Sequence, residues 1–289
     1  MDPRFAEAAA ALQQGRDEEA ERLVDAALDD GATPAVAVCE SLAAGLFQAK
    51  RMKAAERVAR AGVAQQPKNR TLWNTLGVAL RRQNRLAEAL EAIDRAIKLA
   101  PKEAGAWSNK GNIHLDMGDD AKAIEVFTRL IRLHPNAAEY HRMLGVAHRQ
   151  AGDLAKAEAR LAAAVRIQPK LVAVWIDRIA MASSVQKFDE ALAIVDRGLE
   201  ANPGAPRLME ARAQLLRRSG RRADAEAELR GGPGCGRRGR LGAPPAGPLP
   251  RRHRPPRGER PLRTGGRTGA GQRRLPDVLR RQPEPLPLR

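Results

Sequence analysis

Apolar positions recur along this chain at a helical spacing, and the helices themselves recur at a longer one. In "TLWNTLGVALRRQNRLAEALEAIDRAIKLAP" (Thr71–Pro101), Trp73, Leu76, Gly77 and Leu80 fall three and four residues apart. That spacing places them on one face of a predicted helix. Ala89, Ile93 and Ala96 do the same for a second helix. The short polar stretch "RQNRLAE" between them predicts a turn, so the two helices form a hairpin. Sister segments carry Gly at that turn, as Gly118, Gly152 and Gly220. Gly takes the left-handed conformation that ends a helix, and an Asp just after it caps the next.

The hairpin repeats. Pro67, Pro101, Pro135, Pro169 and Pro203 stand 34 residues apart, each where it ends a second helix. Ala55, Ala89, Ala123, Ala157, Ala191 and Ala225 keep the same spacing, and Ala20 precedes them with one residue inserted. Trp73, Trp107 and Trp175 form another column, as do Gly77, Gly111 and Gly145. The small residues let two backbones approach, and the Trp fills the gap between neighbouring hairpins. A hairpin alone leaves an apolar face bare, so the units must stack.

This pattern of Trp, Leu-Gly, Ala, a bulky apolar residue, Ala and Pro resembles the tetratricopeptide repeat family. The resemblance covers Met1 to about Arg230. It is most specific near Arg70 and Ala104, and weaker near Val172, where Arg178 and Ile179 replace Leu-Gly. It is degenerate in Met1–Ala35, where Gly15, Ala20, Val24 and Ala27 still fit. The resemblance implies an all-α, right-handed α-solenoid of about seven helix-turn-helix repeats, with a concave face built from first helices. The units expected are 1–35, 36–69, 70–103, 104–137, 138–171, 172–205 and 206–230. The seventh stops early, so Leu215, Leu216 and Leu229 are predicted to be partly exposed.

Composition changes the picture mainly at the C-terminus. The formal charge of +17 suggests a nucleic-acid binder, yet Gly231–Arg289 holds 15 Arg, no Lys and 3 acidic residues, a net of +12. The first 230 residues carry only +5. With 12 Gly and 12 Pro in its 59 residues, the tail cannot build a core and is predicted to be disordered. Three origins stay open for it. It could bind nucleic acid by counterion release, although it lacks the aromatic residues used for stacking. Its "PLPRRHRPPRGERP" could be a polyproline ligand. Or it is out-of-frame translation of a GC-rich gene, since Phe, Tyr, Met, Ile, Asn and Lys are all missing. Two Cys, Cys39 and Cys235, cannot make a disulfide framework. No signal peptide and no membrane span are read, and a cytoplasmic protein is expected.

Catalytic chemistry is not predicted. His114 and His148 share a column and His141 takes the Trp column; these rings are expected to fill core gaps and hydrogen-bond locally, because no ligand set accompanies them. Asp119–Asp120 reads as a helix cap. "GGRTGAGQR" lacks the Lys-Ser/Thr and the preceding strand of a phosphate loop. No cofactor and no metal are expected.

Binding is the better prospect. On the side of each first helix away from Trp-Leu-Gly, a stripe reads Asn74, Val78 and Arg81, then Ser108, Asn112 and Leu115, then Arg142, Val146 and Arg149. Guanidinium groups pair with carboxylates, and Asn amides can hold an extended backbone. The expected partner is a protein or peptide, with an acidic preference drawn from the recurring Arg. Nucleic acid is the weaker expectation, and the oligomeric state stays open. The family's clamp for a chaperone's acidic tail needs inner Lys residues that are missing here. The inner Asn ladder of some sugar transferases is matched only by Asn109 and Asn112. The function expected is an interaction scaffold. The alternatives are the repeat region of a longer sulfotransferase- or glycosyltransferase-type protein, and nucleic-acid binding through the basic tail.

Overall fold

The structure, a computed structural model, describes residues 2–221 and 223–225. The tail and Leu229 lie outside the described residues. Within them are thirteen helices of 11 to 14 residues and no strand. They pair as α1 (Pro3–Gln13) with α2 (Asp17–Asp29), α3 (Val36–Gln48) with α4 (Met52–Gln65), and α5 (Arg70–Arg82) with α6 (Leu86–Leu99). Next come α7 (Ala104–Asp116) with α8 (Asp120–Leu133), α9 (Ala138–Gln150) with α10 (Leu154–Ile167), and α11 (Val172–Ser184) with α12 (Phe188–Ala201). A single helix, α13 (Pro206–Arg218), comes last, and residues 223–225 are again helical.

Each second helix also packs on the next first helix, so the hairpins stack as an α-solenoid. Every first helix approaches the next first helix backbone to backbone, whereas among the second helices of the described residues only α2 and α4 come that close. The first helices therefore form the tighter, inner side of the stack.

The hairpin turn has one geometry whatever residue occupies it. Gly15, Lys50, Asn84, Gly118, Gly152, Gln186 and Gly220 all sit at φ between 59° and 82°. The backbone closes around each of these residues in the same way, as when Asp119 N–H donates to His114 O at 2.9 Å and Arg85 N–H to Leu80 O at 3.0 Å. This six-to-one bond satisfies a carbonyl the helix end would otherwise leave open. Asp119 and Asp153 then accept from the N–H of Lys122 and Lys156, capping α8 and α10.

The Trp and Pro columns are joined by a hydrogen bond. Nε1–H of Trp73, Trp107 and Trp175 donates to the carbonyls of Pro67, Pro101 and Pro169, each at 2.8 Å. His141 takes the same place, with Nε2 2.9 Å from Pro135 O. The residue that ends one unit thus anchors the first helix of the next. The local hydrogen bonding expected of the His residues holds for His141 but not for His114, whose Nδ1 is buried without a partner among the described residues.

Inside a unit, first- and second-helix residues are matched in size. A Cβ on Gly77 would stand 2.6 Å from Ile93, one on Gly111 2.6 Å from Phe127, and one on Gly145 2.8 Å from Leu161. In the same two columns α11 and α12 carry Ile179 and Val195, and α3 and α4 carry Ala43 and Ala59, all of them buried.

One expectation about the C-terminal end is corrected. Leu215 and Leu216 are 3% and 5% exposed, not bare. α13 packs against both α11 and α12, and Ala225 is buried in the same cluster. Among the described residues the seventh unit consists of α13 and the short helical segment at residues 223–225.

Candidate functional site on the first helices

The stripe predicted for the inner side lies on α5, α7 and α9. Asn74, Val78, Arg81, Ser108, Asn112, Arg142, Val146 and Arg149 are all half-buried. Leu115 departs from the prediction: it is 7% exposed and packs in one cluster with Phe127, Leu130 and Leu144. The physical reason is visible one unit earlier at the same column. Arg81 has a charged end that reaches sideways to Asp116, whereas Leu115 has none and sinks into the seam beneath α9.

Three of the six polar side chains in the stripe, Asn74, Arg81 and Arg142, are already engaged across units. Asn109 Nδ2 donates to Asn74 Oδ1 at 2.9 Å. Arg81 Nε donates to Asp116 Oδ2 at 2.5 Å, and Arg142 Nη1 to Asp177 Oδ2 at 2.7 Å. Arg142 also holds Glu139 at 2.6 Å. Both side chains of the Arg142–Asp177 pair are only 19% exposed. These guanidiniums therefore work first as ties between first helices, and they meet carboxylates of this chain. The acidic partner preference loses its basis at Arg81 and Arg142.

Of the other three, Ser108, Asn112 and Arg149, two carry a buried atom without a partner. Asn112 Oδ1 and Arg149 Nε are buried atoms with no hydrogen-bond partner among the described residues. Buried polar atoms are normally satisfied, so the pair marks the stretch of α7 and α9 where the inner side still offers hydrogen-bonding capacity. Asp116 and Asp177 were not singled out from the sequence. A signal for them exists: Asn74–Asn109, Arg81–Asp116 and Arg142–Asp177 are each 35 residues apart. Residues one period plus one apart meet on neighbouring first helices.

A second network ties the turns. Glu56, 8% exposed, accepts from Arg60, Gln83 and Arg85 at 2.7 to 2.8 Å. Burial alone would raise its carboxyl, but the three donors outweigh burial and hold it below the usual range. This is a structural lock between α4 and α6. Among the described residues no group of three or more His, Cys, Asp or Glu is placed to hold a metal ion.

A tetratricopeptide repeat family model matches residues 42–104, 108–171 and 182–234, more than half of the chain. The chain belongs to the tetratricopeptide repeat family. Solved structures agree on the fold. A tetratricopeptide repeat protein from Parabacteroides merdae is 22% identical with a TM-score of 0.53, covering 68% of this chain and 77% of its own. A thermophilic TPR protein from Thermus thermophilus is 20% identical with a TM-score of 0.55, covering 63% of this chain and 99% of its own. MamA from Desulfovibrio magneticus is 17% identical with a TM-score of 0.52, covering 59% and 97%. At these identities the likeness concerns the fold alone. No curated protein matches significantly. Among the described residues, no helix of this TPR chain is long and apolar enough to cross a membrane.

Proposed function

We propose that the protein is a non-catalytic scaffold that holds an extended segment of a partner protein along its first helices, in the cytoplasm. The observation that carries this reading is the half-buried stripe on α5, α7 and α9, in which Asn112 Oδ1 and Arg149 Nε lack partners. An extended segment offers backbone N–H and C=O groups for the half-buried Asn112 amide and Arg149 guanidinium, while Val78 and Val146 offer apolar contact. Because Arg81 and Arg142 already hold Asp116 and Asp177, the recognition is by amide and aliphatic contact more than by charge. The unpaired, buried Cys39 suits a reducing compartment. The transferase and nucleic-acid readings rest on residues beyond 225, and no observation on the described helices favours them.

The test is capture of a partner from lysate by the full chain, compared with an Asn112→Ala, Arg149→Ala variant. Neither atom makes an internal hydrogen bond, so the variant keeps the thermal midpoint of the parent. Each lost contact of about 1 kcal/mol lowers affinity roughly fivefold. Capture that is undiminished in the double variant would remove the first-helix site.

A further inference from the structure

Two columns that are apolar in α3 and α5 turn polar further along the chain, and at α7 both do so at once. Leu76 and Leu144 occupy one column and are buried, but between them stands Lys110. Leu80 and Leu216 occupy another, and one period after Leu80 stands His114. α7 thus presents a Lys and a His where α3 and α5 present Leu, whereas later units carry Arg178 in the first column and His148 and Ala182 in the second. With Trp107 they share one side of α7, about 150° around the helix from Ser108 and Asn112. This side faces away from the proposed partner stripe and is independent of it.

A cavity of about 410 Å³ opens at this place, closed by Leu90 of α6 and by Val126 and Arg129 of α8. His114 lines it while only 3% exposed, and its Nδ1 has no hydrogen-bond partner among the described residues. Arg129 stacks its guanidinium 4.0 Å from the centroid of the Trp107 ring. Lys110 lies 5.7 Å from the same centroid and holds Asp94 at 2.8 Å. Lys122 lines the cavity with its Nζ on Asp119 at 2.7 Å, and Glu125 adds one acidic group. The volume lies within the range of small-molecule sites, and the lining combines an aromatic face and aliphatic walls with a few converging polar groups.

We infer that this cavity binds a small organic carboxylate with a planar or apolar body. Asp94 and Asp119 already hold Lys110 and Lys122, whereas Arg129 is held by an aromatic face and is the cation positioned to meet a carboxylate. Leu90, Val126 and Trp107 cover the body of the ligand, and His114 supplies one hydrogen bond from the cavity wall. Where α5 has Leu76 and Leu80, α7 places polar side chains at the joint between units, and buried polar groups weaken such a joint unless they are partnered.

The experiment titrates the full chain with benzoate, and separately with inorganic phosphate, at constant ionic strength. Heat of binding, thermal midpoint and the His114 imidazole resonances are followed. Benzoate is expected to bind saturably, to raise the midpoint and to shift the His114 ring, with phosphate at least tenfold weaker. Lys110→Leu with His114→Leu gives α7 the residues of α5 and removes two polar groups of the cavity lining. That variant is expected to melt no lower than the parent and to lose at least tenfold in benzoate affinity. Arg129→Gln, which leaves the buried columns intact, is expected to lose at least fivefold and covers the case in which the double-Leu variant does not fold. A parent that shows no saturable benzoate response overturns the inference, as does full affinity in the double-Leu variant or in Arg129→Gln. Phosphate binding as tightly as benzoate overturns the carboxylate assignment.

Discussion

Replacing Gly111 by Ala tests how the two helices of a unit are spaced. The added Cβ would stand 2.6 Å from Phe127 Cζ and 2.8 and 3.0 Å from its Cε2 and Cε1. Phe127 is fully buried, so the ring has no open space to turn into. Overpacking of this kind costs about 1–3 kcal/mol. Removing a mid-helix Gly returns roughly 0.5–1 kcal/mol, which leaves a net loss of about 1–2 kcal/mol. Phe127→Val alone costs about 2–3 kcal/mol through the lost ring and the space left behind. In that background the clash is gone, so Gly111→Ala becomes neutral or stabilising, and the two substitutions couple by about 1.5–3 kcal/mol. Urea unfolding followed by far-UV circular dichroism measures the four proteins of the cycle. Amide exchange in α7 and α8 separates loss in this unit from unfolding elsewhere in the stack. Additive effects, or a stabilising Gly111→Ala in the parent, would refute the size-matching argument.

The same geometry sets other outcomes. Lys50→Gly and Gln186→Gly, at φ of 61° and 59°, should each raise stability by about 1 kcal/mol in thermal unfolding, whereas Asn84→Gly should gain less because Asn tolerates that conformation. Trp73→Phe removes the donor to Pro67 O and should cost about 1 kcal/mol. Asp177→Asn weakens the tie from Arg142 and should cost roughly 1–2 kcal/mol, an effect that shrinks only slightly in high salt because the pair is largely covered. Burial pushes the His114 and His148 imidazoles below their ordinary pKa of 6.5, opposed at His114 by Asp119 and at His148 by Asp153. Their stability contribution is therefore whole above pH 6.5 and declines as pH falls below it, because the unfolded chain binds the proton more readily. Unfolding midpoints measured from about pH 7.5 to about pH 5 should fall, and fall less in His114→Leu.

Much of this architecture was legible in the residues because it is local and repeated. The period of 34, the turn Gly and the Pro at each unit's end specify helices, their ends and the order in which hairpins stack, since each unit meets only its neighbours. Gly77, Gly111 and Gly145 announced a close approach that the helices do make. The site was less legible. Its positions come from helical spacing, but the state of each side chain depends on residues about a period away. Leu115 looked available until α9 covered it, and Arg81 and Arg142 looked free until Asp116 and Asp177 met them. His114 was expected to fill a core gap and Lys110 was not singled out, and only packing shows that they line a cavity with Arg129 over Trp107. The sequence by itself determined the repeating helices, because backbone preference and apolar period act within one hairpin. Tertiary structure decided which polar groups stay unengaged, because burial and ion pairing are settled between hairpins.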